Sequence, residues 1–244
     1  PYGGEFDEVV EDNKAGSDTW EQAESLFQQR AVGHVLRKSG LEPDRIDLMI
    51  AGDLLNQCVG SSYGLKDYFI PYLGIYGACS TFAEGLLLSA ALVNAGYIDT
   101  AIASTSSHFS TAERQFRFPL NYGGVRTPTA QWTATAAGAA LVGFSGKPPF
   151  IRAATVGKIE DMGITDLNNM GAAMAGAAYD TLTRHMKHRG THPQDYDVII
   201  TGDLGQVGSD LLYDLFQRDG VSLREHHKDC GLMIYDRACL LYTS

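Results

Sequence analysis

Hydrophobic positions recur every three to four residues in two stretches of the chain, and the same strand-like segment follows each stretch. The stretches are residues 20–35 and residues 170–186. This spacing predicts an amphipathic helix in each. Residues 40–54 (GLEPDRIDLMIAGDL) then return as residues 190–204 (GTHPQDYDVIITGDL), with seven of 15 positions identical. Each copy therefore predicts a turn, a buried strand and a Gly-Asp-Leu exit after its helix.

The two copies are displaced by 150 residues, which is too long for a solenoid, whose repeats run about 20–50 residues. The pattern predicts a duplicated α/β domain with halves related by a pseudo-two-fold axis. We place the N-terminal half at residues 1–158 and a partial C-terminal half at residues 159–238. We expect the second half to be truncated, because the first continues for about 100 residues after its Gly-Asp-Leu and the second for about 40.

The remaining apolar segments of the first half predict a sheet that begins as a parallel βαβαβ run. A capping box, with Ser17 or Asp18 before Glu21, is expected to open the first helix. The further elements predicted for this half are a strand at 46–51, a loop with a short helix at 54–68, a strand at 72–77, a helix at 81–96, a strand at 100–104, and a strand at 133–144 paired with another at 150–158.

Composition and charge narrow the class of protein. The 244 residues carry a formal net charge of −10 and are 44% hydrophobic, which fits a globular protein with a sizeable core. The negative charge argues against nucleic-acid binding. Apolar runs are interrupted well before about 18 residues, so no transmembrane helix is predicted. No signal peptide is recognised, and we expect a soluble, intracellular protein.

The cysteines carry information about compartment and about the end of the chain. The last six residues, 239–244, read CLLYTS, which an adaptor used in DNA library preparation can encode. We therefore predict a non-native tail there. Cys58, Cys79 and Cys230 lack paired spacing, which indicates a reducing compartment. The His and Cys residues at 226–230 have no second cluster with ligand spacing, so neither a metal nor a cofactor is predicted.

Cys79 carries the most suggestive chemistry. It lies in a turn of small residues, 77–81 (GACST), between a predicted strand and a predicted helix. Unpaired N–H groups and the dipole at a helix N-terminus favour a thiolate, so the position suits a nucleophile. The alternative is a small buried cysteine in a tight turn.

This turn, the helix LLLSAALVNAGY that follows and the repeated Gly-Asp-Leu resemble the thiolase superfamily, whose members place a nucleophilic cysteine there. Within it, the chain is most similar to the stage V sporulation protein AD family. The strings that carry this resemblance are AGDLLNQ (51–57), YGACST (76–81), ASTSSHFSTAERQFRFP (103–119), YGG (122–124), GITD (163–166), DYDVIITGDL (195–204) and KDCGLMIY (228–235). The resemblance implies a thiolase-like duplicated αβαβα layered fold.

The resemblance also implies a function. Members of this family are understood to bind dipicolinic acid (pyridine-2,6-dicarboxylate), with or without calcium, for its uptake into the developing spore, without catalysis. It implies peripheral association with the spore inner membrane, other stage V sporulation membrane proteins as partners, and a homodimer in the full-length protein.

The alternative is a thiolase-like or ketoacyl-synthase-like acyltransferase that uses Cys79. A ketoacyl synthase of the initiating type has a catalytic His in a Pro-His-Gln-Ala-Asn context, where this chain has GDLGQ at 202–206. A carboxylate opposes a developing oxyanion, so Asp203 argues against condensation.

The candidate ligand-binding residues lie in or just after the Gly-Asp-Leu copies, lie in the cysteine turn, or have side chains that suit a dicarboxylate ligand. They are Asp53, Asn56, Gln57, Cys79, Ser80, His108, Arg114, Arg117 and Asp203. Arg114 and Arg117 would donate to carboxylates, while Glu113 with Arg117 at helical spacing predicts a solvated pair as readily. Asp53 and Asp203 are expected to cap turns more than to contact ligand. His108 is a candidate base, although its spacing along the chain does not establish that it reaches Cys79.

Overall fold

The computed structural model describes residues 3–116, 129–144 and 146–235. These residues form two compact units. The N-terminal unit comprises residues 3–116 with 133–144 and 146–151, and the C-terminal unit comprises residues 129–132 with 152–235. The predicted tail at 239–244 and Arg117 lie outside the described residues.

Helix α1 (Trp20–Ser39) confirms the first predicted helix but begins differently from the prediction. Its N-cap is Thr19, whose hydroxyl accepts from the Gln22 N–H at 3.2 Å while the Gln22 side chain accepts from the Thr19 N–H at 3.3 Å. The prediction of Ser17 or Asp18 with Glu21 was wrong. Thr19 stands directly before the first residue of the apolar stripe, where a capping side chain reaches the first turn.

The repeat predicted from the sequence is present in the backbone. Helix α5 (Met170–Arg189) lies 150 residues after α1 and has the same length of 20 residues. Both helices end at a glycine in the left-handed conformation, Gly40 with φ 69° and Gly190 with φ 64°. A short 3₁₀ turn follows each, at Pro43–Arg45 and at Pro193–Asp195. Only glycine adopts such a φ without strain, which explains why it returns in both copies.

The N-terminal unit is built on one four-stranded sheet of order β2-β1-β3-β4. Strands β1 and β2 and strands β1 and β3 pair in parallel, while β4 is antiparallel to β3. The strands are β1 (Leu48–Gly52), β2 (Tyr72–Gly74), β3 (Thr100–Ser107) and β4 (Ala136–Gly143). The other helices of this unit are α2 (Val59–Leu65), α3 (Thr81–Asn94) and α4 (Phe109–Phe116).

Successive residues of β3 point to opposite faces of the sheet. Ile102 packs with Val32 and Leu36 of α1 in the hydrophobic core. Ala103 faces α3, where Gly85 approaches so closely that an added Cβ would lie 3.2 Å from the Ala103 Cβ. The sheet is therefore covered by α1 on one face and α3 on the other.

The predicted strand at 150–158 was wrong, because these residues form no strand. Thr155 is instead 2.8 Å from the ring of His185 on α5, and Gly157 lies against Thr181 of the same helix. The segment 152–158 thus lies alongside α5 within the C-terminal unit and contacts its side chains, and it does not pair with a strand.

The C-terminal unit packs α5 against α6 (Gly205–Arg218) beside a two-stranded parallel sheet. That sheet pairs β5 (Ile199–Thr201) with β6 (His227–Asp229), and the short helix α7 (Cys230–Ile234) follows. The buried core of this unit is formed by Ala175, Met186, Ile199, Leu204, Leu212, Phe216 and Leu223.

Candidate functional site

Two loops meet at the carboxyl ends of β1 and β2, because parallel strands release their chains at the same end of a sheet. We call residues 53–58 and 75–80 the carboxyl loops. The Tyr76 hydroxyl donates to the Leu54 carbonyl at 3.1 Å, and the Cys58 thiol donates to the Ile75 carbonyl at 3.2 Å. The candidate residues that these loops carry are Asp53, Asn56, Gln57, Cys79 and Ser80.

Asp53 is buried and its carboxylate serves the protein chain. One oxygen accepts from the Leu55 N–H at 2.8 Å, and the other accepts from the Ser61 N–H at 2.6 Å and from the Ser61 hydroxyl. Ser61 lies in the first turn of α2. Asp53 thus holds the exit of β1 and the start of α2 together, as expected of a capping residue.

The first carboxyl loop has an unusual backbone. Gln57 and Cys58 have φ values of 60° and 56°, which non-glycine residues adopt at a cost. This bend turns the side chains of Asn56 and Gln57 to solvent and buries Cys58. Burial, with the nearby charge of Asp53, raises the pKa of the Cys58 thiol, so that it remains a protonated donor.

Cys79 stands where the sequence predicted, between β2 and α3. It lies in a 3₁₀ turn, Ala78–Ser80, that continues into α3, and Ala78 has a φ of 47°. Cys79 and Ser80 are exposed, so the alternative of a buried cysteine was wrong. The Ser80 hydroxyl donates to the Gly77 carbonyl at 2.8 Å. The second carboxyl loop therefore presents a thiol and a hydroxyl to solvent.

His108 lies on the α1 face of the sheet, just after β3, and is 1% exposed. Its Nδ1 accepts from the Ser110 N–H at 3.1 Å, which leaves the proton on Nε2 to be donated to the Asn13 carbonyl at 2.8 Å. The ring stacks against Trp20 and Phe27. Both nitrogens are therefore engaged, and the structure does not bring His108 together with the carboxyl loops as a base.

Arg114 lies on α4 and is directed at the start of α1. Its Nη1 is 2.6 Å from a Glu21 carboxylate oxygen, and its guanidinium lies 5.2 Å from the centroid of the Trp20 ring. The predicted partnership of Arg114 with Arg117, and the alternative pair of Glu113 with Arg117, involve a residue outside the described part of the chain.

Asp203 follows β5 in the C-terminal unit, as Asp53 follows β1, but the two turns are built differently. The N–H groups of Leu204 and Gly205 donate to Asp229, at 2.7 and 3.3 Å. Asp203 lies against Gly231, where an added Cβ would be 2.1 Å from its carboxylate oxygen. Asp229, which the repeat does not mark, therefore holds the loop in the second copy.

A buried histidine, His227, adjoins this loop. Its ring is 2.9 Å from the Thr201 hydroxyl through Nε2 and 2.9 Å from the Tyr213 hydroxyl through Nδ1. Burial lowers the pKa of the imidazole, against the opposing effect of the Asp229 charge. His227 is therefore held neutral.

Sequence reasoning missed a buried polar network beneath α1. Glu24 and Gln28 are fully buried and contact residues of β3 and α4, namely Ser104, Ser106 and Thr111. Burial raises the pKa of Glu24 to about 7. The available signal was the spacing, because Glu24 and Gln28 continue the buried stripe of Val32 and Leu36 at intervals of four.

The described residues contain neither a cluster suited to a metal ion nor a helix suited to crossing a membrane. Across residues 3–116, 129–144 and 146–235, no three His, Cys, Asp or Glu side chains are grouped as they would be around a metal ion. Within the same ranges, no helix combines the length and apolar character needed to cross a membrane.

Comparison with known proteins identifies the family. The model of the stage V sporulation protein AD family matches residues 1–240. Stage V sporulation protein AD of Bacillus subtilis (strain 168) is 45% identical over 235 residues, which is 96% of this chain and 70% of that protein. The chain belongs to the stage V sporulation protein AD family.

Solved structures confirm the predicted thiolase-like fold. The chain is similar to 3-oxoacyl-[acyl-carrier-protein] synthase III of Aquifex aeolicus VF5, with a TM-score of 0.57 and 14% identity over 84% of this chain and 68% of that one. It is also similar to OleA of Xanthomonas campestris, with a TM-score of 0.62 and 15% identity over 87% of this chain and 67% of that one. At such identities the likeness shows the fold alone.

Proposed function

We propose that this sporulation protein binds dipicolinic acid at its carboxyl loops, with or without calcium, and serves the uptake of that compound into the developing spore without catalysing a reaction. The observation that carries the proposal is the make-up of these loops. They offer amide, hydroxyl and thiol groups to solvent, while the candidate base, His108, is buried and fully hydrogen-bonded. Such a surface can hold a polar ligand and has no imidazole to activate Cys79.

The ligand's chemistry suits this surface. Dipicolinate has two carboxylates beside an aromatic nitrogen, all acceptors of hydrogen bonds. Asn56 and Gln57 present amide N–H donors. Ser80 adds a hydroxyl near the positive end of α3, which would exchange its bond to the Gly77 carbonyl for one to the ligand. The exposed ring of Tyr76, whose hydroxyl donates to the Leu54 carbonyl, offers an aromatic surface on the second carboxyl loop.

The partners already found for charged residues refine the predicted site. The Asp53 carboxylate is occupied by main-chain and hydroxyl donors, so calcium would be held by the ligand's own oxygens in preference to this side chain. Arg114 would have to leave Glu21 in order to reach a carboxylate. We therefore assign the principal contacts to neutral donors of the carboxyl loops.

Isothermal titration calorimetry with dipicolinate, with and without calcium, tests the proposal. Asn56→Ala and Gln57→Ala should each weaken binding about tenfold, which is the effect of losing about one hydrogen bond of 1.4 kcal/mol. Asn94→Ala is the matched control, because Asn94 is exposed at the far end of α3. Benzene-1,3-dicarboxylate, which lacks the ring nitrogen, should bind more weakly than dipicolinate. Equal binding by all three variants would contradict this placement.

An acyltransferase that uses Cys79 is the second candidate. The exposed thiol before α3 favours it, and the similar solved structures include a 3-oxoacyl-[acyl-carrier-protein] synthase III. Incubation with a simple acyl-CoA followed by peptide mass spectrometry distinguishes the two functions. A stable acyl adduct on Cys79 would overturn the non-catalytic proposal.

We further propose that the protein forms a homodimer through β2 and associates with the spore inner membrane through other stage V sporulation membrane proteins. Strand β2 lies at the edge of the described sheet, and its residues Tyr72 and Leu73 are exposed, as is Phe69 just before it. An exposed apolar edge strand is suited to pairing. Leu73→Asp should reduce the molar mass measured by light scattering from dimer to monomer. Membrane fractions of spores should lose the protein when its membrane partners are deleted.

A further inference from the structure

Glu24 is a carboxyl group enclosed by hydroxyl side chains from other elements. Its Oε2 lies 2.7 Å from the Thr111 hydroxyl of α4, and its Oε1 lies 3.4 Å from the Ser106 hydroxyl of β3. The side chain has no exposure to solvent. A carboxylate in such a place needs donors, because burial of an unpaired charge is costly.

The Thr111 hydroxyl has one proton and two neighbours. Besides Glu24, its oxygen is 2.9 Å from the His108 carbonyl, which can only accept. If Thr111 donates to that carbonyl, then Glu24 must supply the proton of the contact between Glu24 and Thr111. Both contacts are hydrogen bonds only when Glu24 is the neutral acid.

The Ser106 hydroxyl is committed in the same way. The Gln28 amide nitrogen donates to the Gly52 carbonyl at 3.4 Å and to the Ser104 hydroxyl at 3.3 Å, and Ser104 donates onward to the Gly138 carbonyl. The Gln28 carbonyl oxygen therefore faces Ser106, at 3.3 Å, and shares the single Ser106 hydroxyl proton with Glu24. With Thr111 bonded to the His108 carbonyl, this one shared proton is all that the hydroxyl groups of the network offer an ionised Glu24.

We propose that Glu24 is a positioning residue, held as a neutral acid that donates to Thr111, and that its ionisation loosens α4 and the end of β1 and so weakens ligand binding at the carboxyl loops. The contacts reach both places, through Thr111 to α4 and through Ser106 and Gln28 to the Gly52 carbonyl, one residue before Asp53. The effect on ligand rests on the proposed function, whereas the protonation and the loosening do not.

The charged groups around Glu24 support this assignment. Desolvation by burial is the largest cause that raises the pKa of Glu24 to about 7, and the charges of Asp53, at the end of β1, and Glu21, on α1, also oppose its ionisation. Arg114 of α4 is paired with Glu21, and both ring nitrogens of His108, after β3, are hydrogen-bonded to main-chain groups. The charged residue types are absent from α2 and β4, which also pack on α1.

Infrared difference spectroscopy of the whole protein tests the protonation. At about pH 6 the wild type should show the C=O band of a protonated carboxyl group, which disappears by about pH 8 and is absent from Glu24→Gln. Glu42→Gln is the control, because Glu42 is exposed. If the spectra of the wild type and of Glu24→Gln show the same carboxyl band at about pH 6, the proposal is overturned.

Thr111→Val decides the direction of the bond and does not depend on Glu24→Gln folding. If Glu24 donates, loss of its acceptor should lower the pH at which the band disappears. If Thr111 donates to a carboxylate, loss of the donor should raise that pH, which would contradict the proposal.

Hydrogen exchange and ligand binding then test the consequence. In the wild type, the protection of the α4 amides from hydrogen exchange should fall about tenfold between about pH 6 and pH 8, after correction for intrinsic rates. In Glu24→Gln the protection of the same amides should stay constant over this range. Pepsin peptides that show no difference between the two proteins would overturn the loosening. Dipicolinate affinity should fall over the same range in the wild type only. If dipicolinate binds at neither pH, the proposed function fails while the infrared and exchange results still decide the role of Glu24.

Discussion

Asp53 and Ser61 are joined twice, since both the N–H and the hydroxyl of Ser61 donate to the same carboxylate oxygen of Asp53. This pairing joins the residue directly after β1 to the first turn of α2. The exposed residues Asn56 and Gln57 lie between these two points. The geometry of the first carboxyl loop therefore depends on one buried carboxylate.

Asp53→Asn should destabilise the protein by about 3 kcal/mol. The amide group would replace one accepting oxygen with a donor, which then faces the Leu55 N–H or the Ser61 donors. Urea denaturation followed by circular dichroism measures the loss. Asp44→Asn, at an exposed position, should change the free energy of unfolding by less than about 0.5 kcal/mol. Similar stability of the two variants would show that Asp53 does not hold this loop.

Gly52→Ala should destabilise by about 3 kcal/mol or prevent folding, because an added Cβ would lie 2.0 Å from the Ile75 carbonyl oxygen. The main chain of β2 cannot retreat from this contact without breaking its register with β1. Gly138→Ala in β4 is the control, since nothing lies within 4 Å of its Cβ position. That variant should be neutral or slightly stabilising in the same denaturation experiment, and an equal loss in both would refute the steric explanation.

Cys79→Ser should leave dipicolinate affinity within about tenfold, or about 1.4 kcal/mol, of the wild type. The substitution keeps a small polar side chain at the exposed position before α3. Calorimetry on both proteins gives the comparison. A loss of about a hundredfold or more would mean that the sulfur itself is required.

Glu24 should make the N-terminal unit less stable as the pH rises. Its pKa is raised from 4.5 to about 7 in the folded protein, so its contribution is complete below about pH 4.5 and is lost by about pH 7. The loss should approach roughly 3 kcal/mol. In a Trp132→Phe background Trp20 is the only tryptophan, and its fluorescence in urea titrations reports this unit. Glu24→Gln should remove the dependence, and an unchanged slope in that variant would assign it to other groups.

His227 should have the opposite effect in the C-terminal unit. Its pKa is lowered from 6.5 by burial, so the neutral imidazole is preferred in the folded state and stability is lost as the pH falls below about 6.5. His227→Gln should flatten the acid limb of the denaturation curve. His188→Gln, at an exposed position on α5, should retain it. Acid sensitivity that persists in His227→Gln would have another origin.

The fold was predictable where short-range rules act. Glycines after each helix and the apolar stripes placed α1, α5, β1 and β5 correctly, because capping and periodicity depend on neighbours in sequence. The strand predicted at 150–158 failed because its partner was decided by contacts with α5 that no local pattern encodes.

In the candidate site, too, the positions set by local sequence could be predicted, and those set by distant contacts could not. Cys79 was placed correctly because small residues between a strand and a helix define the turn by themselves. The surroundings of His108 could not be predicted, since Trp20 and Asn13, which are far away in sequence, stack against its ring and bond to it. Glu24 was missed because a charged residue on a helix is usually at the surface, and only the hydroxyls of β3 and α4 make its burial acceptable.

The thiol of Cys58 can report how often the two carboxyl loops separate. Its sulfur is shielded, protonated and bonded to the Ile75 carbonyl, so an alkylating reagent can reach it only while the carboxyl loops are apart. The exposed Cys79 and Cys230 would be modified first and at rates set by the reagent. The slower labelling rate of Cys58 therefore measures how often the carboxyl loops open. A ligand that bridges the two loops must lower that rate.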